Sequence, residues 1–384
     1  MKKKILVVLS YVLVAVIAAG TALLCCRVAD LKSMNKMETL EQVLDAYFIG
    51  DIDQKKLEDA ASAAMVAALG DRWSYYMSAE QYQSYLQSMS NSYVGVGITV
   101  RARTDGKGID ILEVVEGGPA AEKGLLVGDI LVAVDGTDIT AKELTEVSQL
   151  IRGSEGTDVT LTVLRGAERL TVTVTRQKFQ TKVATAKMLE GNIGLITIEN
   201  FDDRCAEETI AAIEELKKQG AVALIFDVRN NPGGYKHELV KLLDYLLPEG
   251  EIFRTEDYRG KTEVDESDAA CLDMPMAVLM NLSSYSAAEF FAAALDEYDA
   301  AVTVGEKTYG KGYFQTAIAL RDGSAVNLSV GKYYTPKGVS LAGVGLTPDV
   351  PVAVDEKTAA LIAAGTLAPE EDPQIIAAIN ALKS

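Results

Sequence analysis

The stretch Met276-Ala-Val-Leu-Met-Asn-Leu-Ser-Ser-Tyr-Ser-Ala-Ala-Glu289 says most about the fold. Its apolar run Met276–Met280 reads as a strand, and a short polar turn leads into a helix that Ser286 opens. The same order occurs upstream. Ala221–Val228 is strand-like, Arg229-Asn-Asn-Pro-Gly-Gly234 is a tight turn, and Leu239, Leu242, Leu243 and Leu246 mark the helix that follows. Asn192–Phe201 adds a further strand, with an amphipathic helix near Ala206–Gln219 behind it. Strands alternating with helices predict an α/β core whose site lies at the strand ends.

A serine at a helix start is aimed outward, where free amides favour developing negative charge. Further along, Lys311 stands between Gly310 and Gly312, with Gln315 just after it. A lysine held by glycines within apolar chain can lose its proton near neutral pH and serve as a base. Together these residues form the equipment of a serine hydrolase that uses lysine in place of histidine. Gly233 and Gly234 can offer unobstructed amides to an oxyanion, with Ala287 N–H as the second donor, each such donor being worth roughly 3 kcal/mol. Taken singly, each residue has a blander reading. Ser286 could be a helix cap, like its neighbours Ser283 and Ser284; Lys311 and Lys307 could be surface charges; Pro-Gly-Gly could be an ordinary turn. Their joint spacing favours catalysis.

Composition narrows the chemistry. The chain has one histidine, His237, read as a first-turn helix residue near the glycine loop. A histidine zinc site of the HExxH kind is excluded, and Cys25, Cys26, Cys205 and Cys271 form no CxxC pair, so neither metal nor cofactor is expected. Cys205 and Cys271 are expected to be buried thiols. The 384 residues should make two or three domains. With 55 acidic against 37 basic residues, the surface repels phosphate backbones and makes nucleic acid a poor partner.

Lys2, Lys3 and Lys4 precede an uncharged run, Ile5–Cys26. At about 1.5 Å per residue the run can cross a hydrocarbon core of roughly 30 Å. Residues 1–36 therefore read as a signal anchor in the cell membrane, with the remainder outside the cytoplasm. A cleaved signal peptide with Gly20-Thr-Ala22 as its small-residue site, giving a secreted form, is the alternative, and a lipoprotein ranks last.

Residues 37–90 read as helices, with Ser78-Ala-Glu-Gln81 as a capping box. Gly70-Asp-Arg-Trp-Ser-Tyr-Tyr76 interrupts them, and packing against the helices is the expected fate of Trp73. Residues 91–178 change to short alternating strands, including a hairpin turning at Arg165-Gly-Ala-Glu168. Around it lie Gly95-Val-Gly-Ile98, Gly117-Gly-Pro-Ala-Ala-Glu-Lys-Gly-Leu-Leu-Val-Gly-Asp129 and a helix near Ala141–Arg152. This stretch resembles a PDZ domain. The resemblance makes Gly95, Val96, Gly97 and Ile98 the loop that receives a peptide's terminal carboxylate, and Leu144 and Val147 part of the groove wall.

The chain as a whole resembles the carboxyl-terminal processing peptidases, or tail-specific proteases, on Ser284-Tyr-Ser-Ala-Ala-Glu289, Gly305-Glu-Lys-Thr-Tyr-Gly-Lys311 with Gln315, and Arg229-Asn-Asn-Pro-Gly-Gly234. Lys332-Tyr-Tyr-Thr-Pro336 and Gly343-Val-Gly-Leu-Thr-Pro-Asp349 match the family's following strands. The resemblance implies Ser286 as nucleophile, Lys311 as general base and Gln315 as the residue that positions the lysine. It further implies a crotonase-like ββα protease core over residues 179–353 with an inserted PDZ domain, followed by a C-terminal helical segment over 354–384. The implied partners are protein or peptide substrates with free, apolar C-termini; whether identical chains assemble is left open. Tyr285 and Ala288 depart from the family pattern, and Tyr285 adjoins the nucleophile. The competing reading is an anchored PDZ adaptor whose protease core binds without cutting; a crotonase-type coenzyme A enzyme is disfavoured by the PDZ insertion.

Overall fold

The computed structural model describes residues 35–103 and 105–383. The expected membrane segment, with Cys25 and Cys26, lies outside the described residues, among which no helix is long and apolar enough to cross a membrane. Two compact units divide between Ala68 and Leu69. In the first, helices Lys36–Tyr47 and Gln54–Ala67 begin at Asn35 and Asp53, whose side chains accept hydrogen bonds from first-turn amides.

At the centre of the second unit is a sheet of six strands. Their order is Ala184–Leu189, Ile193–Ile198, Ala223–Asp227, Met276–Met280, Ala301–Gly305 and Val350–Pro351. All neighbours run parallel except the first pair. A parallel sheet is covered on both faces, which explains why Ala223–Asp227 and Met276–Met280 are buried throughout. Alternate residues divide between two cores. Leu224, Phe226, Val278 and Met280 pack with the helices Cys205–Lys218, Lys236–Leu246 and Ala287–Glu297. Ile225, Ala277 and Leu279 face Ile375 and Ala378 of the C-terminal helix Pro373–Ala381.

A second, antiparallel sheet joins Tyr75–Met77, Ala325–Tyr334, Gly250–Asp257 and Thr262–Ser267, with Tyr313–Ala319 also paired to Ala325–Tyr334. Lys332–Tyr334 falls in a strand as expected. Gly343–Asp349 does not: the left-handed glycines Gly343 and Gly345 make it turns, and pairing resumes only at Val350–Pro351.

The PDZ-like part enters and leaves through one paired ribbon, Ser92–Gly95 against Gln177–Gln180. Its own sheet has the order Ile98–Ala102, Ile109–Val114, Ile130–Val134, Asp158–Arg165, Glu168–Thr175, which leaves Ile98–Ala102 at an edge. Helix Leu144–Ile151 closes a core of Val96, Leu131, Leu161 and Val163. Of the two described cysteines, Cys205 is buried as expected, whereas Cys271 is exposed because it lies in an irregular connection before Met276–Met280.

Candidate active site

Two βα turns meet at the C-terminal ends of adjacent parallel strands. The turn after Met276–Met280 is braced by Ser284, a fully buried residue whose hydroxyl donates to the Val228 carbonyl at 2.7 Å. Ser284 is thus used in structure, and Ser283 is exposed. Ser286 follows with φ 58° and ψ −129°, a conformation that side chains other than glycine rarely adopt. Such strain persists only where its surroundings enforce it. Here the brace is Glu289, whose carboxylate accepts from Ser286 N at 3.0 Å across the first turn of the helix. The turn after Ala223–Asp227 brings Gly233 against the serine. A β-carbon on Gly233 would lie 2.7 Å from Ser286 Cβ and 2.8 Å from Ala287 N, at φ +85°. Only glycine fits there.

Glu289 also ties down the lysine. It is completely buried and accepts from Thr308 Oγ1 at 2.6 Å, Gly310 N at 2.6 Å and Lys311 N at 2.8 Å. Burial raises its pKa, and these four donors oppose the rise. One carboxylate therefore registers the Ser286 turn against the lysine loop. Burial lowers the Lys311 amine to about 8, while the charges of Glu289 and Asp71 pull the other way. No ion pair of its ammonium occurs among the described residues. Burial pushes the Tyr333 hydroxyl up to about 12, and a side-chain hydrogen bond with Ser286 partly opposes this, so Tyr333 stays a neutral partner of the serine.

Ser286, Lys311, Gln315, Gly233 and Gly234 line one groove, walled by Tyr85, Met89, Tyr235, Phe314 and Tyr333. Two details differ from expectation. Gln315 Nε2 donates to the Tyr313 carbonyl at 3.0 Å and to Ser329 Oγ at 3.1 Å, and no described hydrogen bond joins it to Lys311. Gly233 N donates to Asn231 Oδ1 at 2.8 Å, so this amide is engaged within its own loop. His237 lies in the first turn of Lys236–Leu246, stacked on Tyr235, with its side chain 66% exposed.

Trp73 was missed as a site residue. It packs beside Tyr285 and Tyr309, with Lys311 Nζ 4.4 Å from its ring centroid. Its only sequence signal was its place in a glycine-led, aperiodic interruption. In the PDZ-like part, Gly95, Val96, Gly97 and Ile98 lead into the edge strand, and a β-carbon added at Gly97 would lie 3.0 Å from Phe179 Cζ. Leu144 and Ile98 are partly open, but Val96 and Val147 are buried beneath them in the domain core.

A sequence model of peptidase family S41 matches residues 192–352, and one of the PDZ domain matches residues 111–165. The "Probable CtpA-like serine protease" of Staphylococcus aureus (strain COL) is 34% identical over 327 residues, 84% of this chain and 65% of that protein. Residues 192–352 belong to peptidase family S41. The equivalent protein of Staphylococcus saprophyticus is 32% identical over 320 residues, 82% of this chain and 65% of its own. The chain spans 65% of the length of these relatives. The crystal structure of a putative S41 protease from Bacteroides fragilis shares its fold, with TM-score 0.50 and 18% identity over 88% of this chain and 92% of that one.

Proposed function

We propose that this S41 protein is a serine endopeptidase in which Ser286 is the nucleophile and Lys311 the general base. The observation that carries the reading is the convergence of a strained Ser286, the clearance at Gly233 and a buried amine lowered to about 8 in one groove. The neutral Lys311 amine takes the Ser286 hydroxyl proton as the oxygen attacks a peptide carbonyl. The resulting ammonium then returns that proton to the departing amine. Ala287 N–H, next to the nucleophile, offers one donor to the oxyanion, and a glycine-loop amide offers the other once the loop turns it outward. Gln315 acts on the lysine indirectly, through the strand it braces.

The substrate class follows from the PDZ-like part. The open edge Ile98–Ala102 and the apolar side chains of Ile98 and Leu144 suit an extended peptide ending in a small or aliphatic residue, with the Gly95–Ile98 amides on its carboxylate. Cleavage near the C-terminus is then guided by the tail. Residues 1–36 anchor the catalytic part outside the cytoplasm, an assignment that rests on the Lys2–Lys4 and Ile5–Cys26 pattern alone.

The test compares the free-acid and amidated forms of one peptide with an apolar end, using the purified chain and its Ser286→Ala variant. The expected result is cleavage of the free acid, slower cleavage of the amide and none by Ser286→Ala. A chain that binds the tail yet never cuts it is an adaptor, and activity retained in Ser286→Ala overturns the nucleophile.

A further inference from the structure

Trp73 is the single tryptophan of the chain, and no step of the proposed hydrolysis requires it. Yet Lys311 Nζ lies 4.4 Å from its ring centroid and 5.8 Å from that of Tyr285. The indole is held from several sides. Tyr309 meets it edge-on at 5.6 Å, Tyr285 lies tilted at 6.1 Å, and the Arg72 guanidinium stands 4.9 Å from its centroid. Its backbone is fixed as well, since Trp73 N donates to Asp71 Oδ1 at 3.2 Å and its carbonyl accepts from Asn327 Nδ2 at 3.1 Å. Among the described residues the buried Tyr309 hydroxyl has no hydrogen-bond partner.

An aromatic face attracts a cation through the ring quadrupole and gives a neutral amine almost nothing of this. Burial acts in the opposite sense and penalises the ammonium. The Lys311 side chain is therefore held on the indole only while it carries its proton. The other charged and titratable groups around it are Glu289 from the serine helix, Asp71 and Arg72 from the tryptophan loop, and the phenols of Tyr285, Tyr309 and Tyr333. Glu289 and Asp71 favour the ammonium, as the ring does.

We propose that Trp73 is a positioning residue for Lys311: its indole face, flanked by Tyr285, seats the protonated side chain and releases it toward Ser286 when the proton leaves. The inference rests on the Ser286–Lys311 reading above. The proton passes to solvent in the groove, and the freed lone pair on Nζ becomes the acceptor for the Ser286 hydroxyl proton. In the structure the side chain is seated, and no described hydrogen bond joins Nζ to Ser286. Tyr285, the departure from the family's serine motif, supplies the second wall of the seat.

Because Trp73 is the chain's one tryptophan, its emission reports this site alone, and biosynthetic fluorotryptophan alters this ring alone. The experiment titrates the full chain carrying Ser286→Ala from about pH 6 to about pH 9, below the ordinary tyrosine range. Trp73 emission should change in one step with a midpoint near 8. The step should be absent in Lys311→Met and in Lys311→Arg, the second variant keeping the charge should the first misfold. Monofluorinated and then difluorinated tryptophan, which drain charge from the ring face with little change of shape, should move the midpoint down by about half a unit in all. A step that survives without Lys311, or a midpoint indifferent to fluorination, overturns the seat and leaves the hydrolase reading standing. A lysine-dependent, fluorine-sensitive step in a chain whose Ser286 form cuts no peptide supports the seat and rejects the hydrolase.

Discussion

Gly233 is held to glycine twice over, by φ +85° and by the 2.7 Å that would separate an added β-carbon from Ser286 Cβ. Neither neighbour is a flexible tip, so Gly233→Ala must displace the Ser286 turn. A loss of about 100-fold or more in kcat/KM is expected, the scale of a missing oxyanion donor. Steady-state kinetics beside a thermal melt would check that the fold survives. Lys311 makes a prediction with a sign. A base works when neutral, and burial lowers this amine to about 8, so kcat/KM should rise as pH passes through 8 and then level off. Lys311→Arg should remove both the activity and the rise, because guanidinium keeps its proton throughout; turnover in that variant would refute the mechanism. The Ser286 and Lys311 motifs, which the structure brings into one groove, were legible in the sequence because helix-start serine and glycine-flanked lysine are local patterns. Trp73 was not, since its meeting with Lys311 depends on how the second sheet brings Tyr75–Met77 beside Ala325–Tyr334, a pairing no local pattern announces.

At the scale of elements, the strand–turn–helix units around Ala223–Asp227 and Met276–Met280 could be read directly, because buried parallel strands form unbroken apolar runs. The second sheet could not. Thr262–Ser267 is polar and largely exposed, and in Tyr313–Ala319 Gln315 and Thr316 break a half-exposed apolar stretch, so neither sequence carries clean alternation or an unbroken apolar run. The same limit hid what fastens the C-terminal helix. Arg229, buried at the start of the glycine loop, donates to Asp227 Oδ2 at 2.6 Å, Asp372 Oδ2 at 2.8 Å and Gln374 Oε1 at 2.9 Å. Asp372 in turn caps Pro373–Ala381, accepting from Gln374 N at 2.9 Å. Asp372→Ala removes one partner of a buried charge and the cap together, so a loss of about 3–5 kcal/mol is expected. Urea unfolding would measure it. Hydrogen exchange should show Pro373–Ala381 opening ahead of the sheet; a variant with unchanged exchange there would show that Ile375 and Ala378 hold the helix unaided.

Over the whole molecule, the two parts expected to recognise and to cut are joined where both crossings between them touch one loop. Asn91, at the entry, donates to Asn200 Oδ1 at 3.0 Å and to the Asp203 carbonyl at 2.9 Å, and Asn200 Nδ2 returns a bond to Asn91 Oδ1 at 2.8 Å. Arg204 reaches across both crossings, donating to the carbonyls of Asn91 at 2.7 Å and Thr181 at 2.9 Å. Its own φ of 75° and that of Asn91, 46°, lie in the left-handed region, so both residues hold costly backbone in place. Next to this clasp, Asp202 lines the catalytic groove, its carboxyl raised to about 7 by burial and by Asp203. Under the proposed function, a tail held on Ile98–Ala102 would influence Ser286 through this joint, which adjoins Asp202 of the groove wall. Arg204→Ala removes the bonds to both crossings while leaving Ser286, Lys311 and the glycine loop untouched. Hydrogen exchange should then quicken at Asn91 and Thr181. The ratio of free-acid to amidated peptide cleavage should fall toward one, while hydrolysis of a small ester that lacks a tail changes less than about twofold, as surface substitutions usually do. An unchanged ratio with quickened exchange would mean that the joint carries no signal and that the PDZ-like part acts only by holding substrate nearby.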